Sequence, residues 1–132
     1  MTAARLAALL CLLGAVVGRP TQALSQSAGS DSIAAKVAKG KALFHGKGLC
    51  FSCHGKEGEG LLAPSTRLMG RPLVHTKANV PDLVALIKAG VDSAHSSISQ
   101  SMPERGGSRL TDAEVEAVAR YVMELQKRQP AR

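Results

Sequence analysis

Large aromatic side chains are scarce in this chain of 132 residues, which has no tryptophan, two phenylalanines and one tyrosine. Aromatic residues usually carry much of the apolar area of a core. A domain of about 100 residues can bury only roughly 60–70% of its surface. A core with so few rings therefore favours a domain whose largest apolar group is a bound cofactor.

Other signals are missing as well. No stretch shows the strict apolar–polar alternation of a half-buried β-strand. Basic residues do not form runs with interleaved aromatic residues, so the net charge of +7 does not indicate nucleic-acid binding. The sequence therefore predicts an all-α domain that does not bind nucleic acid.

The amino end has the three-part plan of a secretory signal peptide. Arg5 precedes an apolar run of twelve residues, 6–17, which is broken at 18–20 and followed by small residues up to Ala23. The run is shorter than the roughly 17–25 residues of a spanning helix. We expect residues 1–23 to be removed, leaving no stable membrane span; an uncleaved anchor is the alternative.

The rest of the chain is expected to form one domain, residues 31–132, after a serine-rich flexible lead-in at 24–30. The exported chain would keep 15 basic and 10 acidic residues. A moderately basic surface favours docking of an acidic partner, although a merely solvated surface is the plainer interpretation.

The central motif is Cys50-Phe51-Ser52-Cys53-His54. Two cysteines separated by two residues and followed by histidine form the attachment signature of haem c. Each thiol can bind one vinyl group, and the histidine can bind the iron. A dithiol redox pair would require a βαβ context, and a structural zinc site would require four ligands. Both remain alternatives.

Helical spacing and capping signals predict three helices. The first covers about 31–44, where Gly40 in the middle predicts close contact with another helix. The second begins near Asn79 and stops at Gly90. The third covers about 112–127 after a Thr-x-x-Glu capping box. Residues 55–79 are expected to be mostly irregular, with a short helical turn at 65–69.

The ligand on the second face of the iron determines what such a haem can do. Met102 is the favoured candidate, because it lies in a polar loop with little core to join and is followed by Pro103. His95, in the same loop, would give a bis-histidine site, and Met69 and Met123 are further alternatives. On the first face, the carbonyl of Pro64 is expected to accept a hydrogen bond from His54.

The chain resembles the mono-haem class I cytochromes c, especially bacterial ones. The resemblance rests on Gly40-x-x-x-Phe44, the haem motif, Ala63-Pro64, Met102-Pro103 and the segment from Leu110 to Val122. It implies a small cytochrome c-like fold of three to four helices around one covalently attached haem c. It further implies packing of Gly40 and Phe44 near Tyr121, iron ligation by His54 and Met102, and a hydrogen bond to Pro64.

The predicted function is a soluble periplasmic one-electron carrier between redox protein donors and acceptors, and not an enzyme. Four lysines are expected to surround the exposed haem edge and steer an acidic partner: Lys36, Lys47, Lys56 and Lys77. The alternatives are a cytochrome subunit bound permanently to an oxidoreductase, a catalytic or gas-binding haem protein with an open distal site, and a haem-free zinc module.

Overall fold

A computed structural model describes residues 32–128. The predicted signal peptide and lead-in lie outside these residues. Within 32–128 the α-helices are α1 (Ile33–His45), α2 (Phe51–His54), α3 (Val80–Ala89) and α4 (Asp112–Gln126), and two short 3-10 turns cover Pro64–Thr66 and Glu104–Gly107. No β-strand forms in this range. The predicted all-α fold class is confirmed.

The helices begin where the capping signals predict. The side chains of Ser32 and Asn79 each accept a hydrogen bond from the backbone amide three residues further on. Thr111 and Glu114 form a complete capping box, with bonds of 3.3 and 2.8 Å. These bonds satisfy amides that have no partner inside the helix. The observed helix bounds agree with the predicted ones to within two residues.

Helix α1 crosses α4 at Gly40. A Cβ atom at this position would lie 1.9 Å from the carbonyl oxygen of Ala117, so the two backbones touch. One turn further on, the rings of Phe44 and Tyr121 meet edge to face with centroids 5.3 Å apart. The expected close contact at Gly40 and its packing near Tyr121 are both present.

The core lies between α1, α3 and α4. The inner face of α4 supplies most of it, and Leu83 and Ile87 add the buried face of α3. The buried residues of α4 are Val115, Ala117, Val118, Ala119, Tyr121, Val122 and Leu125. Among residues 32–128, no helix has the length and apolarity needed to cross a membrane. The core leaves a cavity between α2, α3 and the loop before α4.

Candidate haem site

A mostly apolar cavity of about 430 Å³ lies beside the haem motif. This volume falls in the range of about 300–1,000 Å³ typical of cofactor sites. The cavity is lined by Cys50, Cys53 and His54 from the motif, Leu83, Leu86 and Ile87 from α3, Val118 and Val122 from α4, and Met102 from the loop before α4. The motif and Met102 therefore border one space.

Cys50 is the N-cap of the one-turn helix α2 and Cys53 lies inside it, and both line the cavity. The His54 amide donates to the Cys50 carbonyl at 3.0 Å. Both thiols are free and half-buried. Burial raises the pKa of Cys50 to about 11, so this thiol is protonated at neutral pH. Dithiol oxidoreductases instead rely on cysteines of lowered pKa. The dithiol alternative is therefore disfavoured.

A zinc site is disfavoured as well. Across residues 32–128, no group of three or more histidine, cysteine, aspartate or glutamate side chains is placed to hold a metal ion. Structural zinc sites in proteins use four such ligands. The two thiols and the imidazole of His54 therefore do not belong to a zinc site in this part of the chain.

His54 is held in one tautomer. Its Nδ1 lies 2.7 Å from the carbonyl oxygen of Thr66. Because a carbonyl can only accept, Nδ1 carries the proton, and the lone pair of Nε2 is free to bind a metal. Burial lowers the pKa of His54, an effect that the Thr66 carbonyl partly opposes. The imidazole is therefore neutral at neutral pH, as a metal ligand must be.

The structure places the imidazole of His54 against Thr66 and not against Pro64, the acceptor that the sequence predicts. The carbonyl of Pro64 instead accepts from the Arg71 guanidinium at 3.0 Å and from the Arg67 amide at 3.2 Å. Proline opens a 3-10 turn, and the first carbonyl of such a turn binds the amide three residues later. The last carbonyl has no partner inside the turn. That carbonyl belongs to Thr66, and it accepts from His54.

Sequence reasoning missed Thr66, although a signal was present. A proline at the first position of a short helical turn indicates that its own carbonyl will be used within that turn. The free acceptor is then expected two residues later, at the end of the turn. Pro64 itself is exposed and marks where the turn begins.

Met102 is fixed through its backbone. Its amide and carbonyl exchange two hydrogen bonds of 2.8 Å with Val91, which lies two positions after the last residue of α3. Gly90, the C-cap of α3, has φ +72° and ψ −168°, a conformation that is essentially restricted to glycine. A Cβ at Gly90 would lie 2.4 Å from the carbonyl oxygen of Met102. The end of α3 thus sets the position of Met102 on the cavity wall.

The segment after Met102 is tied to α3 and α4 by charged groups. Arg105 has a left-handed φ of +51°, which is unfavourable for a residue with a side chain. Its guanidinium donates to the Leu110 carbonyl at 2.7 Å and to Asp112 at 2.6 Å. Lys88 of α3 donates to the other oxygen of Asp112 at 2.7 Å. Bonds to Lys88 and then Arg105 lower the pKa of Asp112, which stays ionised at neutral pH.

The other candidate ligands are placed differently. His95 pairs with Asp92 at 2.7 Å and its side chain is 81% exposed. Neither it nor Met69 nor Met123 lines the cavity. His75, which had no distinguishing feature in the sequence, does border the cavity and is exposed. Met102 is therefore the methionine that shares the cavity with His54.

Two of the four lysines that are expected around the haem edge are paired with acidic side chains. Lys36 and Lys47 form ion pairs with Glu116 and Glu114 of α4, at 3.5 and 2.7 Å. Among residues 32–128, the basic side chains that line the cavity are those of His54, Arg67 and His75, and no lysine lines it. Two of the four lysines thus have their charge partly balanced on the α1–α4 face.

The all-α fold, the half-buried motif cysteines and the neutral, single-tautomer histidine in a mostly apolar cavity fit a covalently bound haem. Together they define a cytochrome c domain. The family described as cytochrome c oxidase, cbb3-type, subunit III matches residues 35–122. The chain belongs to this family and is a mono-haem class I cytochrome c, as the sequence resemblance predicted. No curated protein and no solved structure matches the chain.

Proposed function

We propose that this protein is a one-electron carrier whose haem c is bound through thioethers at Cys50 and Cys53 and ligated by His54 and Met102. The observation that supports this most directly is that His54 and Met102 line the same cavity. When bound, the haem supplies reversible exchange between ferric and ferrous iron. The chain's own contribution is to bring an imidazole and a thioether to the lining of one mostly apolar cavity.

A ligand set of this kind favours electron transfer over catalysis. With protein groups on both faces, the iron has no free position for a substrate or a gas. A thioether ligand also favours the ferrous state and raises the reduction potential. The two backbone hydrogen bonds between Met102 and Val91 support a ligand that stays in place in both oxidation states.

We further propose that the protein is exported and works in the periplasm as a carrier between larger redox proteins. The sequence of residues 1–23 and the haem motif support this independently, since haem c is attached outside the cytoplasmic membrane. Mass spectrometry of the protein expressed with haem-attachment machinery tests both parts. We expect a chain beginning near Leu24 with the mass of one haem added; a full-length chain or one without haem would contradict the proposal.

The ligand assignment is tested by absorption spectra of Met102→Leu and the matched control Met123→Leu. Both substitutions roughly conserve volume, and only Met102 lines the cavity. We expect Met102→Leu to lose the weak red band of a sulfur–ferric iron bond and to bind carbon monoxide when reduced. The control should retain the band. A Met102→Leu protein that keeps it would assign the distal ligand to another residue.

A second candidate is a permanent subunit of an oxidase complex. The family match favours it, because that family is described as an oxidase subunit. Size-exclusion chromatography of gently extracted native membranes and soluble fractions separates the candidates, since a carrier travels alone and a subunit co-elutes with a larger oxidase.

A further inference from the structure

We infer that Thr66 is a positioning residue for the axial ligand His54. Its side-chain hydroxyl ties the carbonyl that receives the His54 proton to the backbone of the haem-attachment turn. The inference rests on the proposed function, in which His54 is the ligand on the first face of the iron.

The hydroxyl of Thr66 bridges two segments. Its Oγ1 lies 3.2 Å from the carbonyl oxygen of Cys53, in α2, and 2.8 Å from that of Ala63, in the loop. The amide of Ala63 also donates to it at 3.4 Å. The main-chain carbonyl of the same residue accepts from His54 Nδ1 at 2.7 Å. One half-buried threonine therefore contacts two consecutive residues of the haem motif.

This arrangement couples the loop to the imidazole. If the 3-10 turn shifts, the carbonyl of Thr66 moves relative to Nδ1 and the ring loses its fixed orientation. Hydrogen bonds to the remote nitrogen of a ligating histidine set its tautomer and increase its basicity. The single hydroxyl proton is shared between the carbonyls of Ala63 and Cys53, so the hydroxyl links the turn to α2 and keeps that bond short. If the residue at position 66 has no hydroxyl, the Cys53 carbonyl keeps the hydrogen bond that it accepts from the Leu62 amide at 3.1 Å and loses the one from position 66.

Two substitutions separate this role from simple packing. Thr66→Val keeps the branched shape and removes the hydroxyl, whereas Thr66→Ser keeps the hydroxyl and removes a methyl group. If Thr66 only fills space, serine should be the more harmful change. If the hydroxyl positions the His54 acceptor, valine should be the more harmful change and serine should behave like the native residue.

The experiment uses the haem-loaded, reduced protein labelled with ¹⁵N, together with a redox titration. We expect hydrogen exchange at His54 Nδ1 to be about tenfold faster in Thr66→Val, equivalent to the loss of one ordinary hydrogen bond. The reduction potential should rise, because a less basic imidazole stabilises ferric iron less. Thr66→Ser should match the native protein in both the exchange rate at His54 Nδ1 and the reduction potential. Ser93→Ala is the control. Ser93 is an exposed residue in the loop after α3, so this substitution removes a hydroxyl far from Thr66 in the sequence.

The outcomes are distinct. Faster exchange and a raised potential in the valine variant alone would support the inference. Native-like values in the valine variant, or equal changes in both variants, would overturn it while leaving the proposed function intact. A native protein without covalent haem would overturn the proposed function, and the inference with it.

Discussion

Replacing Gly90 by alanine should displace Met102, the proposed distal ligand, while leaving the haem bound. Gly90 ends α3 with φ +72° and ψ −168°, and a residue with a side chain would be strained there by about 1–3 kcal/mol. Its Cβ would also lie 2.4 Å from the Met102 carbonyl oxygen and 2.8 Å from the Glu104 amide nitrogen. Both are backbone atoms, which cannot rotate away as a side chain could.

The contact requires the Met102 segment to move by about 1 Å, since ordinary contact begins at 3.4 Å. Such a shift breaks the two hydrogen bonds between Val91 and Met102, each worth about 1 kcal/mol. With the backbone strain, the sum is about 3–5 kcal/mol. That sum is a large part of the free energy of unfolding of a typical domain, which is roughly 5–15 kcal/mol. Moving the loop that carries Met102 costs less free energy than unfolding the domain. We therefore expect this loop to shift while the rest of the domain stays folded.

The assay is the absorption spectrum of the oxidised protein, followed by carbon monoxide binding to the reduced protein. We expect Gly90→Ala to lose the sulfur–iron band and to bind carbon monoxide, with haem still covalently attached. Gly107→Ala is the matched control. It has φ +76°, but its Cβ would meet only the Pro103 side chain, at 3.4 Å. If Gly90→Ala keeps the band as fully as Gly107→Ala, the position of Met102 is not set by the end of α3.

Three further predictions concern stability. Gly40→Ala should lower the free energy of unfolding, measured with denaturant, by about 1–3 kcal/mol net, because the new Cβ would overlap the Ala117 carbonyl oxygen. This loss is expected although alanine stabilises a helix by ~1 kcal/mol relative to glycine. A neutral or stabilising effect would show that α1 can move. His45→Ala should cost about 1–3 kcal/mol, because the ring nitrogens lie 2.8 and 2.7 Å from the Lys41 and Lys56 carbonyls. Lys56→Ala keeps its carbonyl and should have little effect in the same denaturation assay. The Lys47 ammonium and the backbone lower the pKa of Glu114 to about 2. Because the folded pKa lies below the unfolded value of about 4.3, this stabilisation is present above that pH and lost as pH falls toward 2. Glu114→Gln should flatten that part of the stability–pH curve; an unchanged slope would contradict the assignment.

Most of the fold could be predicted because the signals are local. The caps at Ser32, Asn79 and Thr111 act within three residues, so the sequence alone locates the helix starts. Gly40 could be interpreted correctly because a glycine inside a helix is unfavourable unless another backbone needs the space. Val115, Val118, Val122 and Leu125 recur at helical spacing and are all buried, so the inner face of α4 is also a local signal.

What the sequence did not reveal depends on contacts between distant segments. The turn that begins at Pro64 uses the proline carbonyl for itself and for Arg71, so the acceptor for His54 moves to Thr66. Spacing along the chain does not show which carbonyl faces the ring. The ion pairs that occupy Lys36 and Lys47 join α1 and its following loop to α4, and a linear pattern of charges does not contain them.

The distal loop, which connects α3 to α4 and carries Met102, is restrained by two kinds of interaction that differ in strength. Asp112 is 65% exposed, and exposed ion pairs such as those with Arg105 and Lys88 contribute little to stability because solvent screens them. The backbone pair with Val91 and the close contact at Gly90 involve atoms that have no alternative rotamer. The charges can steady the segment after Met102, but they are too weak and too exposed to determine where it lies. The placement of Met102 therefore depends on how α3 ends, and a chain with another residue at position 90 would need a different distal loop.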